Sequence, residues 1–482
     1  MSRIAPTSTT AQAAATPGLS MAGLTVLLAG QLLPQIDFTI VNVALDAIAR
    51  SLNADATGLE LIIAAYGVAF AVCLAMGGRL GDKLGRRRVF EWGVVLFFVS
   101  SLLCGLAQAV WQLLAARALQ GVAAALIVPQ ILATIHVTLQ GHAHSRALGY
   151  YGAIGGLSFI VGQVLGGFLI SADVAGLGWR SVFLINLPLC LGVLACSRRW
   201  VPETRREGCA AIDWPGTLLL ATLIVCLLLA LTLGPGLRWS WPCLALLAAV
   251  LPLLAALWRV EQEQARRGGH PLLPPELLRL PSVGFGLLVA VLFFSGWSGF
   301  MFAVALTLQS GAGLSPFESG NAFIALGASY FVSSLLSARV SARLGQVRTL
   351  IVGCLIQMSG LLALMLTFEL VWPQPGVFNL MPATCLIGFG QAFIVGSFFR
   401  IGLSDVPQQQ AGAGAAMLST VQQAAFGLGA ALIGAVFAQV LHGGGDYRQA
   451  VLAALGSELV LMLMLVSSAL VFRGRRSRRC LA

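Results

Sequence analysis

Two ionisable residues, Asp37 and Arg117, lie deep inside long apolar stretches of the sequence. An ionisable side chain inside a lipid bilayer is costly unless it is paired or hydrated, so each is a candidate functional residue. At a rise of about 1.5 Å per residue, Asp37 lies about 12 Å and Arg117 about 10 Å from the same end of their stretches. Because these depths match, we expect the two side chains to meet, with Gln120 one helical turn from Arg117. A carboxyl group in this setting can bind and release a proton, and Arg117 and Gln120 would control that exchange.

Two alternatives to this proton-coupling site stay open. Asp37 and Arg117 could form a static pair that only holds helices together. A polar stripe also runs along the same helix within about 80° on a helical wheel, nearly opposite Asp37. This stripe consists of Gln31, Gln35, Thr39 and Asn42. Only one of the two faces can line a central cavity; we favour Asp37 for that face and expect the stripe to bond to the fifth predicted helix.

Helices must position these side chains, and the sequence contains fourteen apolar stretches that can supply them. Of the 482 residues, 58% are hydrophobic and 10% are charged, and the mean hydropathy is +0.89. About 20 apolar residues suffice to span a hydrocarbon core of about 30 Å as a helix. The stretches cover residues 21–45, 58–79, 89–108, 110–137, 148–172, 180–198, 214–234, 238–258, 282–308, 318–342, 349–371, 377–400, 411–440 and 451–472. We therefore expect an all-α membrane protein.

Basic residues divide unequally between the two sides that these stretches define. With the N-terminus in the cytoplasm, 24 of the 29 Lys and Arg residues fall on the cytoplasmic side, four fall on the opposite side, and Arg117 lies within a stretch. Cytoplasmic segments of membrane proteins carry such an excess. We expect both termini to be cytoplasmic, and we interpret the net charge of +11 as a topology signal and not as a nucleic-acid surface.

Other classes of chemistry lack the residues that they need. The only lysine, Lys83, is followed by Leu84, so the phosphate-binding pattern G-x-x-x-x-G-K-[ST] is missing. The ten cysteines include no C-x-x-C pair, which argues against a disulfide or a metal site. His142 and His144 have no companion set of acids or cysteines, so a solvated loop is favoured over a metal site there. We expect no enzymatic activity, no cofactor and no metal.

The sequence GRLGDKLGRR, at 78–87, falls in the short loop between the second and third stretches. Topology alone would explain its bases, but not its acid or its regularly placed glycines. The pattern G-x-L-x-D-x-x-G-R-R resembles the signature loop of the major facilitator superfamily. The resemblance implies a conformational latch that holds the cytoplasmic side closed in one state. The matching residues are Gly78, Asp82, Gly85, Arg86 and Arg87.

Three further segments resemble motifs of the same family. The segment 113–125 resembles the fourth-helix motif R-x-x-Q-G, and 36–52 resembles the first-helix motif of the branch with fourteen helices that exchanges drugs for protons. The segment 158–167 resembles the fifth-helix antiporter motif G-x-x-x-G-P-x-x-G-G. Its matching positions are Gly162, Gln163, Gly166 and Gly167, with Gln163 in place of proline and Ser158 in place of the first glycine. In the first-helix motif Asp46 replaces a proline, and in a second copy of the loop, at 338–348, Ala342 replaces the acid.

This resemblance implies a major facilitator fold of two six-helix bundles plus two extra helices. We expect a disordered cytoplasmic tail at 1–20, an N-terminal bundle at 21–198, an extra helix pair at 214–258, a C-terminal bundle at 282–472 and a basic cytoplasmic tail at 473–482. The resemblance also directs attention to the ninth and twelfth stretches for the substrate cavity. The candidates there and in the thirteenth stretch are Phe293, Trp297, Phe300, Gln391, Gln422 and Gln423. An aromatic stripe in a membrane helix can equally be packing, and that alternative stays open.

The function that these expectations support is proton-coupled export of small amphipathic drugs or metabolites by alternating access. The partners are the small-molecule substrate, protons and the lipid bilayer of a bacterial cytoplasmic membrane, without nucleic acid. A periplasmic adaptor protein is neither required nor excluded by the sequence. A proton-coupled importer or uniporter, and a membrane sensor of the same fold that transports nothing, are the alternatives.

Overall fold

The computed structural model describes residues 18–205, 213–267, 271, 274–407 and 411–479, and these residues form helices and connections without any strand. Residues 1–17 and 480–482, which belong to the two predicted tails, lie outside the described residues. In chain order the long helices are α1 (Met21–Leu52), α2 (Ala56–Leu84), α3 (Arg86–Leu106), α4 (Val110–Thr138), α5 (Gly141–Ala172), α6 (Gly178–Trp200), α7 (Trp214–Leu233), α8 (Trp241–Arg266), α9 (Pro281–Gly311), α10 (Pro316–Leu344), α11 (Gln346–Val371), α12 (Val377–Gly402), α13 (Ala411–His442) and α14 (Tyr447–Arg479).

Thirteen of these helices are long and apolar enough, in their described residues, to cross a membrane. They correspond to thirteen of the fourteen predicted stretches, and α5 corresponds to the other; its described apolar part is Val161–Ala172. Several helices extend beyond the predicted bounds, because hydropathy identifies only the part of a helix that lies in the lipid. For example, α1 continues to Leu52 and α2 to Leu84. The expectation of an all-α membrane protein is confirmed.

The helices pack into two groups of six. In the first half, α1 packs against α5 and α6, and α4 packs against α2 and α3. In the second half, α12 packs against α10 and α11, and α13 packs against α9 and α14. The extra pair sits beside them, with α7 in contact with α2 and α13 and α8 in contact with α7. The most extensive contacts between the halves are those of α2 with α13 and of α5 with α10, and α1 also packs against α9. The predicted residue boundaries of the bundles stay a prediction.

Two connections mark the opposite ends of the helices. Asn53, in the left-handed conformation, follows α1, and Gly85 separates α2 from α3. We call these the Asn53 end and the Gly85 end. Toward the Asn53 end, Ser310 of α9 donates a hydrogen bond of 2.8 Å to Asp46 of α1, and Gly167 of α5 lies against the start of α10. The two halves are thus in contact at the Asn53 end.

Glycines allow α2 and α13 to approach each other closely. A Cβ atom on Gly67 would lie 2.6 Å from the Cα of Gly427, and one on Gly427 would lie 2.8 Å from the backbone nitrogen of Val68. Backbone therefore meets backbone here, as small residues permit between membrane helices. We call the contact surface of α2 and α13 the seam.

Candidate functional site

Asp37 and Arg117 meet in the interior of the first half. The carboxylate of Asp37 pairs directly with the guanidinium of Arg117, and both side chains have almost no exposed area. Gln120 completes the set, since its amide nitrogen donates to Asp37 Oδ1 at 3.0 Å and its amide oxygen accepts from Arg117 Nη1 at 2.8 Å. The three residues that the sequence grouped by depth are therefore brought together. Their role in proton coupling stays a prediction.

Further polar side chains complete this network, and sequence reasoning did not find them. The amide nitrogen of Asn186, on α6, donates to Asp37 Oδ1 at 3.1 Å. The Ser101 hydroxyl, on α3, accepts from Gln120 at 2.9 Å and from Asn186 at 3.3 Å. Neutral polar residues are common in membrane helices and do not by themselves indicate a site. The one available signal was that Asn186 lies in α6 at a depth similar to that of Asp37. Asp37 thus has three partners, Arg117, Gln120 and Asn186, which offset the cost of burying its charge.

The ring of Tyr66 covers the remaining side of the guanidinium. Its centroid lies 4.4 Å from Arg117 Cζ, within the range of a cation–π contact. The Tyr66 hydroxyl donates to the carbonyl of Pro34 at 3.0 Å, which joins α2 to α1. The Arg117 Nε donates to the carbonyl of Ile62 at 3.4 Å, which also ties the network to α2.

Asp37 faces α3, α4 and α6 inside the first half. The sequence favoured a cavity-facing carboxylate, whereas the carboxylate is fully enclosed in this conformation. Of the polar stripe, Gln31 donates to the carbonyl of Tyr151 on α5 at 3.2 Å, as expected. Thr39 and Asn42 instead donate to carbonyls of α1 itself, and Thr39 packs against Gly162 of α5. The network can therefore exchange a proton only after a change of conformation lets water reach it.

The predicted latch residues lie together at the Gly85 end. Arg86 binds Asp82 through two hydrogen bonds, at 2.6 Å and 3.2 Å, within one turn across the break between α2 and α3. Its backbone N–H donates to the carbonyl of Thr204 at 2.9 Å, so the segment after α6 is joined to the latch. Gly78 lies near Pro129 of α4 at ordinary van der Waals distance. In this conformation the described contacts of Asp82 and Arg86 stay within the first half.

Glu203 binds the predicted latch segment, a contact that the sequence did not reveal. Its carboxylate accepts from the backbone N–H groups of Arg87 at 3.1 Å and Arg88 at 3.3 Å. A carboxylate at this position satisfies the free N–H groups of the first turn of α3 and matches the positive end of the helix dipole. Nothing in its sequence position, after α6, predicts that contact.

Gly85→Ala should destabilise the protein more than the matched change Gly345→Ala. Both glycines have positive φ, +107° and +84°, in the two copies of the loop, so alanine costs about 1–3 kcal/mol at either position. A Cβ on Gly85 would also lie 2.6 Å from Glu203 Oε1, whereas a Cβ on Gly345 would meet open space. The apparent melting temperatures of the purified variants test the difference; equal losses would show that the contact with Glu203 is unimportant.

The antiporter-type motif presents two faces of α5. Gly162 and Gly166 lie against α1, where Thr39 and Ile40 fill the space that their side chains would take. Gln163 is fully buried and donates to the sulfur of Met301 on α9 at 3.7 Å, while a Cβ on Gly167 would lie 2.7 Å from the carbonyl of Pro316. One face thus packs within the first half and the other touches the second half. A role of the motif in antiport stays a prediction.

An aromatic cluster joins the two halves close to the buried network. Phe426 of α13 lies at its centre, with ring centroids 4.9 Å from Phe38, 5.0 Å from Phe294 and 5.6 Å from Trp297. Phe38 in turn lies 6.3 Å from the ring of Tyr66, which covers Arg117. Rings therefore run in contact from the charged pair to the second half.

The predicted substrate residues are only partly in this cluster. Trp297 belongs to it, and Phe293 packs against Trp297 with ring centroids 5.6 Å apart. Phe300 instead pairs with Phe323 of α10. The regular spacing of Phe293, Trp297 and Phe300 predicts one stripe, whereas Phe300 packs outside the cluster although it lies in the same regular helical segment as Trp297, Ser295–Leu306.

The three predicted glutamines differ in burial. Gln391, on α12, is fully buried, and neither atom of its amide group has a hydrogen-bond partner in the described part of the chain. Gln422 and Gln423, on α13, are half-buried. An amide without a partner is costly in a dry interior, so Gln391 is the strongest of the three for binding a ligand or water.

Asp37 and Arg117 are not the only deeply buried ionisable residues, which corrects the sequence analysis. Glu60 of α2 and Glu458 of α14 are also buried, with 1% and 0% exposure. Gln357 of α11 donates to Glu458 Oε1 at 2.9 Å. Both glutamates lie within or beside predicted apolar stretches, so the rule that singled out Asp37 could have found them.

The described residues contain no group of three His, Cys, Asp or Glu side chains that could hold a metal ion. The side chains of His142 and His144 lie outside the described residues. The absence of a metal site stays a prediction.

Comparisons with known proteins agree on one family. A model of the Major Facilitator Superfamily matches residues 27–430. The chain is 34% identical, over 86% of its own length and 72% of the relative's, to a probable actinorhodin transporter of Streptomyces coelicolor. It is 30% identical, over 85% and 74%, to the tetracenomycin C resistance and export protein of Streptomyces glaucescens. The fold is similar to that of a human organic anion transporter, with a TM-score of 0.61 at 18% identity over 92% of this chain and 99% of the other.

Proposed function

The chain belongs to the major facilitator superfamily and is a multi-pass membrane transporter, not an enzyme; from that premise we propose that it exports small aromatic, amphipathic compounds in exchange for protons. The observation that carries the proposal is the enclosed pair of Asp37 and Arg117. A buried ion pair contributes little net stability, so its cost suggests a function other than holding helices together. Support for export comes from the relatives, one of which is a resistance and export protein.

Alternating access would couple this pair to transport. The halves touch at the Asn53 end through Asp46 and Ser310 and through Gly167. The excess of bases at the opposite end supports a cytoplasmic Gly85 end, which makes the Asn53 end periplasmic in a bacterial inner membrane. The present conformation then corresponds to a transporter that is closed toward the periplasm. Opening would hydrate the network and let Asp37 exchange its proton.

The aromatic cluster is the substrate site that we propose. Actinorhodin and tetracenomycin C, which name the two relatives, direct attention to substrates with aromatic rings. Such a compound could replace the contact between Phe38 and Phe426 with its own stacking contacts, which are worth about 0.5–1.5 kcal/mol per pair. Since Phe38 also contacts Tyr66, a substrate that displaces Phe38 would change the contact of Tyr66 with Arg117. Substrate and proton would thus compete through one connected set of rings.

Transport into inside-out vesicles tests the function. Vesicles with an acidic interior should accumulate ethidium or tetracenomycin C, and the substrate should release protons from the vesicles as it enters. An uncoupler that collapses the pH gradient should stop both signals. Proton release without a substrate requirement, or accumulation that survives the uncoupler, would contradict proton-coupled export; binding without any flux would favour the sensor alternative.

Phe426→Ala should raise the KM for aromatic substrates about tenfold, which corresponds to the loss of about 1.4 kcal/mol of stacking. The ring of Phe426 contacts three other rings of the cluster, so no neighbour can replace it. Phe285→Ala is the matched control, because Phe285 stacks on Phe472 at 4.4 Å, outside the cluster. Initial rates over a range of substrate concentrations measure both variants. An unchanged KM in Phe426→Ala would place the substrate elsewhere.

A further inference from the structure

The carboxyl group of Glu60 lies in the seam between the two halves. A Cβ atom on Gly434 would lie 2.6 Å from Glu60 Oε1 and 2.7 Å from its Cδ, so the carboxyl fills the space that a side chain at 434 would need. Glu60 extends from α2 in the first half, and Gly434 belongs to α13 in the second. The side chain is 1% exposed, because the other half covers it.

No described group compensates a negative charge at this position. Glu60 Oε2 is buried without a hydrogen-bond partner, and no ion pair in the described part of the chain includes Glu60. Helix α7 closes the seam from outside with apolar side chains. Its residues there are Leu220, Ile224 and Leu228, which pack with Ala64, Val68 and Ala431.

The titratable groups on the surrounding helices are either engaged elsewhere or also acidic. On α2 itself, Asp55 accepts from the backbone of Gly58 and adds negative charge. From α4, Arg117 is held by Asp37. From α13, the ring nitrogen Nδ1 of His442 lies 2.8 Å from the carbonyl of Ala438.

On the other helices that pack against α2, α7 carries Cys226, which is uncharged as a thiol, and α1 carries Asp46, which pairs with Arg50. The basic residues of α3 stand at its first turn, at the Gly85 end, whereas Glu60 lies near the start of α2, at the Asn53 end. None of these groups supplies a positive charge to Glu60.

We propose that Glu60 is a second proton-binding site, whose occupation holds the seam closed. An ionised carboxylate without a partner costs several kcal/mol in a dry interior, whereas the neutral acid costs much less. If the two halves part at the Asn53 end, as the proposed function requires, the same carboxyl gains water and can ionise. Closing the seam therefore takes up a proton, and opening releases it.

This site differs from the Asp37 network in what surrounds it. The partners of Asp37 all belong to the first half and move with it, so its pairing persists while the halves move. The apolar surface that covers Glu60 belongs to the second half, so Glu60 becomes exposed to water when the seam opens. Given a periplasmic Asn53 end, the proton of Glu60 comes from the periplasm and returns there. Glu60 then sets the external pH at which the transporter closes, without carrying a proton across.

Hydrogen–deuterium exchange of the purified full chain in lipid nanodiscs tests the proposal without any transported substrate. Alkaline pH should favour opening by up to tenfold per pH unit once the open-state carboxyl ionises, so about pH 5.5 and about pH 8 are compared. At the higher pH, peptides from 56–66 and 428–440 should exchange faster in the wild type than in Glu60→Gln. At the lower pH, where the open-state carboxyl gains less from ionising, the difference between the two proteins should be much smaller. Each comparison is made at one pH, so the chemical rate of exchange cancels.

Three variants control the experiment. Glu458→Gln removes a buried carboxyl remote from the seam and should keep the wild-type pattern. Glu60→Asp keeps a titratable group and should keep the pH dependence. Gly434→Ala places a methyl group in the space of the carboxyl and should speed exchange at both pH values.

Equal exchange of wild type and Glu60→Gln at both pH values would overturn the proposal. Faster exchange of Glu60→Gln at both values would do the same, because it would show a purely structural role. If Glu60→Gln cannot be purified, an unchanged exchange pattern in Gly434→Ala would overturn it as well. The result is independent of transport. Export that persists in Asp37→Asn would contradict the proton-coupling role of Asp37 and leave the exchange result as it stands.

Discussion

Asp37→Asn should abolish proton-driven export and leave a folded protein in the membrane. The amide has the same shape as the carboxyl, and its oxygen can still accept from Gln120 and Asn186. The guanidinium of Arg117 keeps its contacts with Gln120 and with the ring of Tyr66, although the loss of its countercharge lowers the stability of the variant. What the variant lacks is a group that can bind and release a proton. We expect pH-driven accumulation of ethidium or tetracenomycin C in inside-out vesicles to fall to the level of vesicles without the protein.

The matched control is Asp55→Asn, which neutralises an exposed carboxylate at the start of the next helix. Asparagine caps a helix about as well as aspartate, so the hydrogen bond from Gly58 should be kept. This variant should transport like the wild type. Substrate exchange without a pH gradient should also survive in Asp37→Asn if coupling alone is lost. Intact pH-driven export in Asp37→Asn would end the assignment of Asp37 as the coupling residue.

The depth of a charge in an apolar stretch predicted the centre of this site, because few ionisable residues are tolerated there. The same rule could not predict its neighbours. Asn186 and Ser101 are neutral, and their place in the network depends on how α3, α4 and α6 pack together within the first half. Glu60 was passed over because it lies only a few residues inside its stretch, where water is expected. It is buried by α13, which lies more than three hundred residues further along the chain.

The loop after α2 and the spacing of aromatic residues in α9 were also predicted only in part. The motif at 78–87 predicted a tight loop, and Gly85 indeed has a φ that favours glycine. The motif could not predict that Glu203 would bind the first turn of α3, since that contact depends on the direction of the chain after α6. In α9, helical spacing placed Phe300 in one stripe with Trp297, but it could not predict that Phe300 would pack against Phe323 of α10, since that contact depends on how the two helices meet.

The two buried glutamates, Glu60 and Glu458, should respond differently when the halves part. Glu458 has a donor in Gln357 from the same half, so its surroundings stay intact when the halves part. Glu60 has no such donor among the described residues and depends on the other half for its burial. Two carboxyl groups with similar exposure therefore have different expected responses to opening. The position of a buried acid relative to the seam, and not its burial alone, decides whether it can report conformation.

Arg117→Met should destabilise the protein by about 3–5 kcal/mol at neutral pH, because it leaves the carboxylate of Asp37 buried without its countercharge. Methionine fills much of the volume of the arginine stem, so the loss is mainly electrostatic. The carboxyl can escape the penalty by binding a proton, and this becomes less costly as the pH falls. The deficit in stability should therefore shrink as the buffer is acidified. Thermal unfolding of the purified variant between about pH 5 and pH 8 measures this trend.

The double variant Asp37→Asn, Arg117→Met separates the loss of the pair from the loss of packing. With both charges removed, no uncompensated ion remains, and Gln120 and Asn186 can still bond to the new amide. The double variant should recover most of the stability that Arg117→Met loses and should show no dependence on pH in this range. A double variant as unstable as the single one would mean that the arginine acts through its contact with Tyr66 and its volume. Recovery of stability without recovery of export would show that the pair is kept for the chemistry of proton exchange and not for the fold.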